Sequence, residues 1–167
     1  MTVRFERETL IAAPAELVFD LSLDIDAHRW SMSASNERAI AGVTTGRIGL
    51  GETVTWRATH FRIPFTMTSR VTALERPRRF VDEQVRGPFR SFHHEHLFEP
   101  AGDGTRMVDR IRFDAPLGPI GELVERAVLA THLEKLITIR REYLKAEAER
   151  RQRTANGAAQ SCRRRQD

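Results

Sequence analysis

Hydrophobic and polar positions change their spacing twice along this chain. Residues 2–11 (TVRFERETLI) alternate, as a strand with one buried face does. Pro14 suits a first helical turn and Glu16 its positive end, and Leu17, Val18 and Leu21 form an apolar stripe. A short helix is therefore predicted over 14–22, and a second over 25–32 with Asp24 as its cap. From Glu37 to Ala115 the period becomes two, interrupted at Ile63-Pro64, Arg76-Pro77, Gly87-Pro88 and PAGDG at 100–104. This predicts strands at about 36–42, 52–61, 65–74, 79–85, 89–99 and 105–115, with a glycine-rich loop or strained hairpin over 42–51. Short connections between alternating strands make an antiparallel meander. After Pro116 the period becomes 3.6, which predicts a long helix over 119–149. Its apolar face moves from Ile120, Leu123, Val124 and Val128 to Leu133, Leu136, Ile137 and Leu144, so a break near 129–133 is expected. Gly118-Pro-Ile-Gly121 is expected to set the angle of helix entry.

The alternation also assigns faces. The bulky alternate set is Val54, Trp56, Ala58, His60, Phe65, Met67, Ser69, Val71, Ala73, Phe80, Asp82, Gln84, Phe92, His94, His96, Phe98, Met107, Asp109, Ile111 and Phe113. The opposite set, rich in Thr and Arg, faces solvent. Simple hairpin pairing sets His60 opposite Phe65, Trp56 opposite Ser69, Ser69 opposite Gln84 and His94 opposite Asp109. A strict two-residue turn at Gly87-Pro88 would instead turn Val81 and Glu83 inward in place of Asp82. Seven of the inward residues are polar: His60, Ser69, Asp82, Gln84, His94, His96 and Asp109. Each would cost about 1–3 kcal/mol if buried without a partner. They must pair, meet water or line a cavity, and apolar walls with a few convergent polar groups make a small-molecule site.

Composition narrows the partners. Of 27 basic and 23 acidic residues, six arginines and one acid fall in 150–167, leaving 21 against 22 elsewhere. The basic character thus belongs to a tail (RQRTANGAAQSCRRRQD) without periodic apolar positions, expected to be disordered and solvated. No nucleic-acid partner is expected. No apolar run spans a bilayer, the N-terminus lacks a signal-peptide layout, and the lone Cys162 forms no internal disulfide. A cytoplasmic protein with one domain over 1–149 is the expectation; no oligomeric state follows.

The order strand, two short helices, six-strand meander and long C-terminal helix resembles the α+β helix-grip fold. In that fold a seven-stranded curved antiparallel sheet wraps a C-terminal helix. It is shared by START lipid-transfer domains, the birch pollen allergen and bacterial polyketide cyclases, the SRPBCC superfamily. APAELVFDL resembles its strand-to-helix segment, and PRRFVDEQVRGPFRSFHHEHLFEPAGDGTRMVDRIRFDAPLGPIGELV its bacterial ligand-binding or cyclase-like branch. The resemblance covers about residues 2–148 and implies an internal hydrophobic cavity, with no metal or other cofactor.

The expected ligand is a hydrophobic or amphipathic small molecule, held by a carrier or sensor. Its contacts would be Trp56, His60, Phe65, Met67, Phe80, Asp82, Gln84, Phe92, His94, His96, Met107, Asp109 and Ile111. The alternative is a cyclase or aromatase, moving a proton alpha to a carbonyl with His94, Asp109, His60 or Asp82. A further alternative is an interaction module with a collapsed cavity. His94 and His96 share a strand face and, with Asp109 or Asp82, have the makings of a facial triad for zinc or iron. Such spacing is common by chance, and a His94–Asp109 hydrogen bond is the preferred expectation.

Overall fold

The computed structural model describes residues 2–33, 36–60, 63–114 and 122–163. Its elements are β1 (Thr2–Ile11), α1 (Ala15–Ser22), α2 (Ile25–Ser31), β2 (Arg38–Gly42), β3 (Thr53–His60), β4 (Ile63–Glu75), β5 (Arg79–Arg86), β6 (Ser91–Ala101), β7 (Gly104–Asp114) and α3 (Glu122–Arg163). The strands form one antiparallel sheet in the order β1-β7-β6-β5-β4-β3-β2, so the first strand returns beside the last. Pro14 precedes α1 in extended backbone, and the Asp24 carboxylate caps α2 by accepting from the Asp26 and Ala27 amides at 2.8 and 3.0 Å. This is the helix-grip architecture. No described helix is long and apolar enough to cross a membrane.

Register departs from simple hairpin expectation by two residues in two places. β4 starts at Ile63, inside the expected break, so Trp56 pairs with Met67 and Val54 with Ser69. Across β6–β7, His96 pairs with Asp109 and His94 with Ile111. A shift of two exchanges neighbours without exchanging faces, so the inward set survives it. Between β4 and β5 the expected Ser69–Gln84 pair is present, but past an irregularity between Val71 and Ala73 the faces exchange. Ala73, expected inward, pairs with Val81, and Leu74 stands opposite Phe80 and packs on the core. Asp82 pairs with Val71 and faces inward, and Phe80 and Val81 are both buried beside that irregularity.

The loop from 42 to 51 folds onto the α1–α2 junction. The Ile25 amide donates to the Gly46 carbonyl at 2.8 Å and the Ile48 amide to Leu23 at 3.1 Å. Gly42 begins it at φ +74°, where an added Cβ would lie 2.1 Å from the Thr53 carbonyl oxygen; only glycine fits.

α3 corrects two expectations. It runs without a break through 129–133, because Leu129, Leu133, Ile137, Leu144 and Ala148 fall within about 100° of one another and pack as one stripe. The residues that suggested a second face, 120–128, have side chains outside the described residues, as does the Gly118–Gly121 joint. The expected disordered segment 150–167 is helical as far as Arg163. Extending a nucleated helix costs little, Ala, Arg and Gln tolerate it well, and Glu147 pairs with Arg150 and Arg151 one turn on.

The core has two parts. The larger gathers α1, α2 and β3–β7 around Phe19, Phe80, Phe98 and Met107, with Leu144 and Ala148 of α3. The smaller packs Phe92, Ile111 and Phe113 on Leu129, Leu133 and Ile137. Between them, on β5, β6 and β7, sit Asp82, His94, His96 and Asp109.

Candidate functional site

A cavity of about 60 Å³ opens between the sheet and the helices. Val54, Trp56, Ser69, Val71, Phe80 and Asp82 supply its sheet wall. Ser22 to Ile25, His28, Ile48 and Arg140 close the other sides. The Trp56 indole stacks on His28 with centroids 4.2 Å apart, and His28 Nε2 lies 3.0 Å from Glu37 Oε1. Arg140 donates through its NH2 group to the Ser22 carbonyl at 2.8 Å, which ties α3 to α1. Its Nε and the Ser69 hydroxyl are buried without a protein partner.

Behind this wall lies the polar layer. His94 Nε2 hydrogen-bonds Asp109 Oδ1 at 3.0 Å, and His96 Nε2 hydrogen-bonds Asp82 Oδ2 at 3.1 Å. His96 Nδ1 approaches Asp109 Oδ1 to 2.8 Å but off the hydrogen-bond axis. Arg141 Nε stands 3.9 Å from the other Asp109 oxygen. The His96 ring is stacked between Phe80, 4.0 Å away, and His94, 3.7 Å away.

Charge in this layer is set by competition between burial and pairing. Burial alone raises Asp82, yet its hydrogen bond with His96 and the positive charges of His94, His96 and Arg140 hold it down at about 2. Asp109 is likewise pushed up by burial and pulled further down, below the ordinary carboxylate range, by both histidines. Burial and the charge on His96 lower His94. Burial also lowers His96, but its two carboxylate neighbours outweigh that and raise it.

The sequence-derived candidates divide between these places. Trp56, Phe80 and Asp82 line the cavity; His94, His96 and Asp109 stand in the layer behind it, 1–3% exposed. Gln84 is occupied elsewhere: its side-chain amide bridges the Phe89 carbonyl and amide at 2.7 and 3.2 Å and braces the β5–β6 turn. Phe92 and Ile111 belong to the smaller core, Met107 to the larger, and half-buried Phe65 to an open groove beside Pro64 and Gly87-Pro88. Met67 is half-buried beside that turn. The His60 side chain lies outside the described residues. Arg140 and His28 were missed, although both carried a signal. Arg140 falls three residues after Ile137 and four before Leu144, a charge on an apolar stripe, and His28 falls one turn after buried Ile25.

A family model described as polyketide cyclase/dehydrase and lipid transport matches residues 2–149. The chain belongs to this family. Its place in the SRPBCC superfamily follows, and solved structures agree on the fold. This member of the polyketide cyclase/dehydrase and lipid transport family is similar to the Zhui aromatase/cyclase from Streptomyces sp. R1128, with 20% identity and a TM-score of 0.75 over 93% of this chain and 98% of that one. It is similar to TTHA0849 from Thermus thermophilus, with 21% identity and a TM-score of 0.67 over 89% and 99%. The di-domain ARO/CYC StfQ from the steffimycin biosynthetic pathway gives 17% identity and a TM-score of 0.70 over 90% of this chain and 52% of that one. No curated protein matches this chain. In this family member the cavity offers an aromatic wall, an ionised carboxylate and a guanidinium, a set suited to holding a molecule with one polar end.

Proposed function

We propose that this protein binds a small amphipathic molecule between the sheet and α1–α3, its polar end toward Asp82, Ser69 and Arg140 and its apolar body against Trp56, Val71 and Phe80. The observation that carries this reading is the pair of unpartnered buried groups, the Ser69 hydroxyl and Arg140 Nε, on residues that line one cavity. Each costs about 1–3 kcal/mol unless water or a ligand meets it. At about 60 Å³ the cavity holds a few water molecules, whereas pockets for organic ligands measure roughly 300–1,000 Å³, so binding is accompanied by a widening of the space between the α1–α2 segment and the sheet.

Binding is favoured over acid–base turnover by the charge on Asp82. A carboxyl at about 2 is ionised but a weak base near neutral pH, where an effective base titrates close to the working pH. His94, His96 and Asp109 are not among the lining residues.

The test uses tryptophan emission, since Trp56 lines the cavity and the other tryptophan, Trp30, is 69% exposed. Trp30→Phe protein titrated with palmitate or a hydroxylated anthraquinone should show saturable quenching, and Arg140→Leu should weaken it by roughly tenfold or more, as for a lost charged hydrogen bond. Absence of quenching with both probes, together with native mass spectrometry of the purified protein showing no bound organic molecule, would refute the reading.

A further inference from the structure

The polar layer presents an arrangement of donor atoms that hydrogen bonding does not exhaust. Four imidazole nitrogens meet two carboxylates. On one side His94 Nε2 and His96 Nδ1 lie 3.0 and 2.8 Å from a single oxygen, Asp109 Oδ1. On the other, His94 Nδ1 and His96 Nε2 lie 3.8 and 3.1 Å from a single oxygen, Asp82 Oδ2. A neutral imidazole carries one N–H. With both directed to Asp109, two nitrogen lone pairs turn toward a carboxylate oxygen and three electron-pair donors converge. A proton on His96 Nε2 bridges only the shorter edge.

We propose that Asp82, His94 and His96 bind one divalent transition metal ion of the zinc class, with Asp109 fixing both imidazoles from behind. One donor atom from each of the three lies within 4.8 Å of the others. A tetrahedral zinc ion with ligands near 2.0–2.1 Å keeps them about 3.4 Å apart, between the two separations seen here. Two imidazoles and one carboxylate select zinc, cobalt or ferrous iron over magnesium or calcium.

The surroundings supply what such a site requires beyond its ligands. Metal-bound histidines direct their second nitrogen to a carboxylate. Here His94 Nε2 hydrogen-bonds Asp109, and His96 Nδ1 lies 2.8 Å from the same oxygen, so that a small ring rotation would direct it there as well. Phe80 against His96 and the edge of Phe92 against His94 restrict ring rotation before an ion arrives. Asp109 Oδ2 and His96 Nδ1 are buried without a hydrogen-bond partner, so the layer is polar beyond its internal needs. Arg140 opposes a dication, and the two carboxylates offset it. Because Asp82 also lines the cavity, the fourth coordination position opens there, as in sites with three protein ligands and one exchangeable one. The site goes beyond the binding reading and does not depend on which organic molecule enters.

The test is titration of chelator-stripped full-length protein with Zn²⁺ by calorimetry and with Co²⁺ by visible absorption, without any organic ligand. The expected result is one ion per chain and the intense visible bands of four-coordinate cobalt, displaced by zinc. Asp82→Asn should weaken binding by roughly a hundredfold or more, and Asp109→Asn by about 10–100-fold. His93→Gln should leave it unchanged, because that side chain faces outward onto Glu83 at 2.8 Å. X-ray absorption of the zinc-loaded wild type should count two imidazoles, a reading that needs no variant to fold. No binding by folded wild type, a six-coordinate cobalt spectrum, or affinity lost with His93→Gln and kept with Asp82→Asn would overturn the proposal.

Discussion

Replacing Asp109 with alanine is expected to cost more than any other single change in the polar layer. The residue is 3% exposed, accepts from His94 Nε2 and stands 2.8 Å from His96 Nδ1. Its removal leaves two buried imidazoles facing an apolar methyl group, with only Asp82 to balance His96. Leaving one buried polar group unpaired costs about 1–3 kcal/mol, and removing one partner of a buried ion pair about 3–5 kcal/mol. These figures describe the same groups and do not add, so the expected loss is about 3–5 kcal/mol. That is about a fifth or more of the roughly 5–15 kcal/mol by which a domain is stable. Asp109→Asn keeps one acceptor oxygen for His94 and should lose about 1–3 kcal/mol. Equilibrium urea unfolding of chelator-treated full-length proteins at neutral pH, with slopes compared to verify two-state behaviour, measures both. A loss below about 1 kcal/mol for Asp109→Ala, or a larger loss for Asn than for Ala, would show that the histidines do not depend on this carboxylate.

Three further outcomes follow from the packing. Phe19, fully buried and edge-on to Phe80 and Phe98 at 5.7 and 5.3 Å, should lose about 3–5 kcal/mol on truncation to alanine, read from the same urea curves. Deleting residues 153–167 should leave the unfolding free energy within about 0.5 kcal/mol, since the described part of that segment is almost wholly exposed. It should also remove helical circular dichroism, and an unchanged spectrum would restore the disordered reading. Arg150 and Arg151 hold Glu147 down at about 2, below its ordinary 4.5. A carboxyl lowered in the folded state stabilises above its unfolded value and loses that contribution as pH falls toward 2, so Glu147→Gln should be less stable than wild type at pH 6 and converge with it near pH 2.

Face membership along the strands was legible and contact was not, for one physical reason. Side chains alternate with a period of two, so a pairing error of two residues leaves every residue on its face while replacing its partner. His94 was expected opposite Asp109. It pairs with Ile111, and its ring still reaches Asp109 diagonally, while His96 takes the directly opposed place. Gln84 shows the converse. It stands where alternation puts it, yet the turn at Gly87-Pro88 draws its amide onto Phe89, a local demand that no period expresses. In α3 the pattern misled because the first turns were read together with the later stripe. From Leu129 onward, one stripe fits a straight helix. The charged residue interrupting that stripe, Arg140, is the legible sign of a cavity wall.

Adjacent residues of α3 divide the work of holding the helix. Arg140 reaches the Ser22 carbonyl of α1 and borders the cavity, whereas Arg141 donates to Thr9 Oγ1 and the Glu8 carbonyl of β1, beside Asp109. On the β1 side the helix has further ties, Arg7 to Glu134 and Lys145 to the Leu10 carbonyl at 2.8 Å. On the α1 side the direct polar tie between the described helices is the Arg140–Ser22 bond. On the proposed binding reading, a ligand larger than the present cavity would part α1 from α3 and leave α3 seated on β1. That motion breaks the Arg140–Ser22 bond and carries the 42–51 loop along through the Ile25–Gly46 and Ile48–Leu23 hydrogen bonds, with the Asp20–Arg76 and His28–Glu37 pairs yielding at its margin. The opposite motion would break the ties to β1 and expose Asp109. On that reading the wall that yields is Ser22 to His28 with its attached loop and the wall that stays is the sheet, so a ligand's polar end would meet the Asp82 carboxylate in place and an Arg140 guanidinium freed from the Ser22 carbonyl.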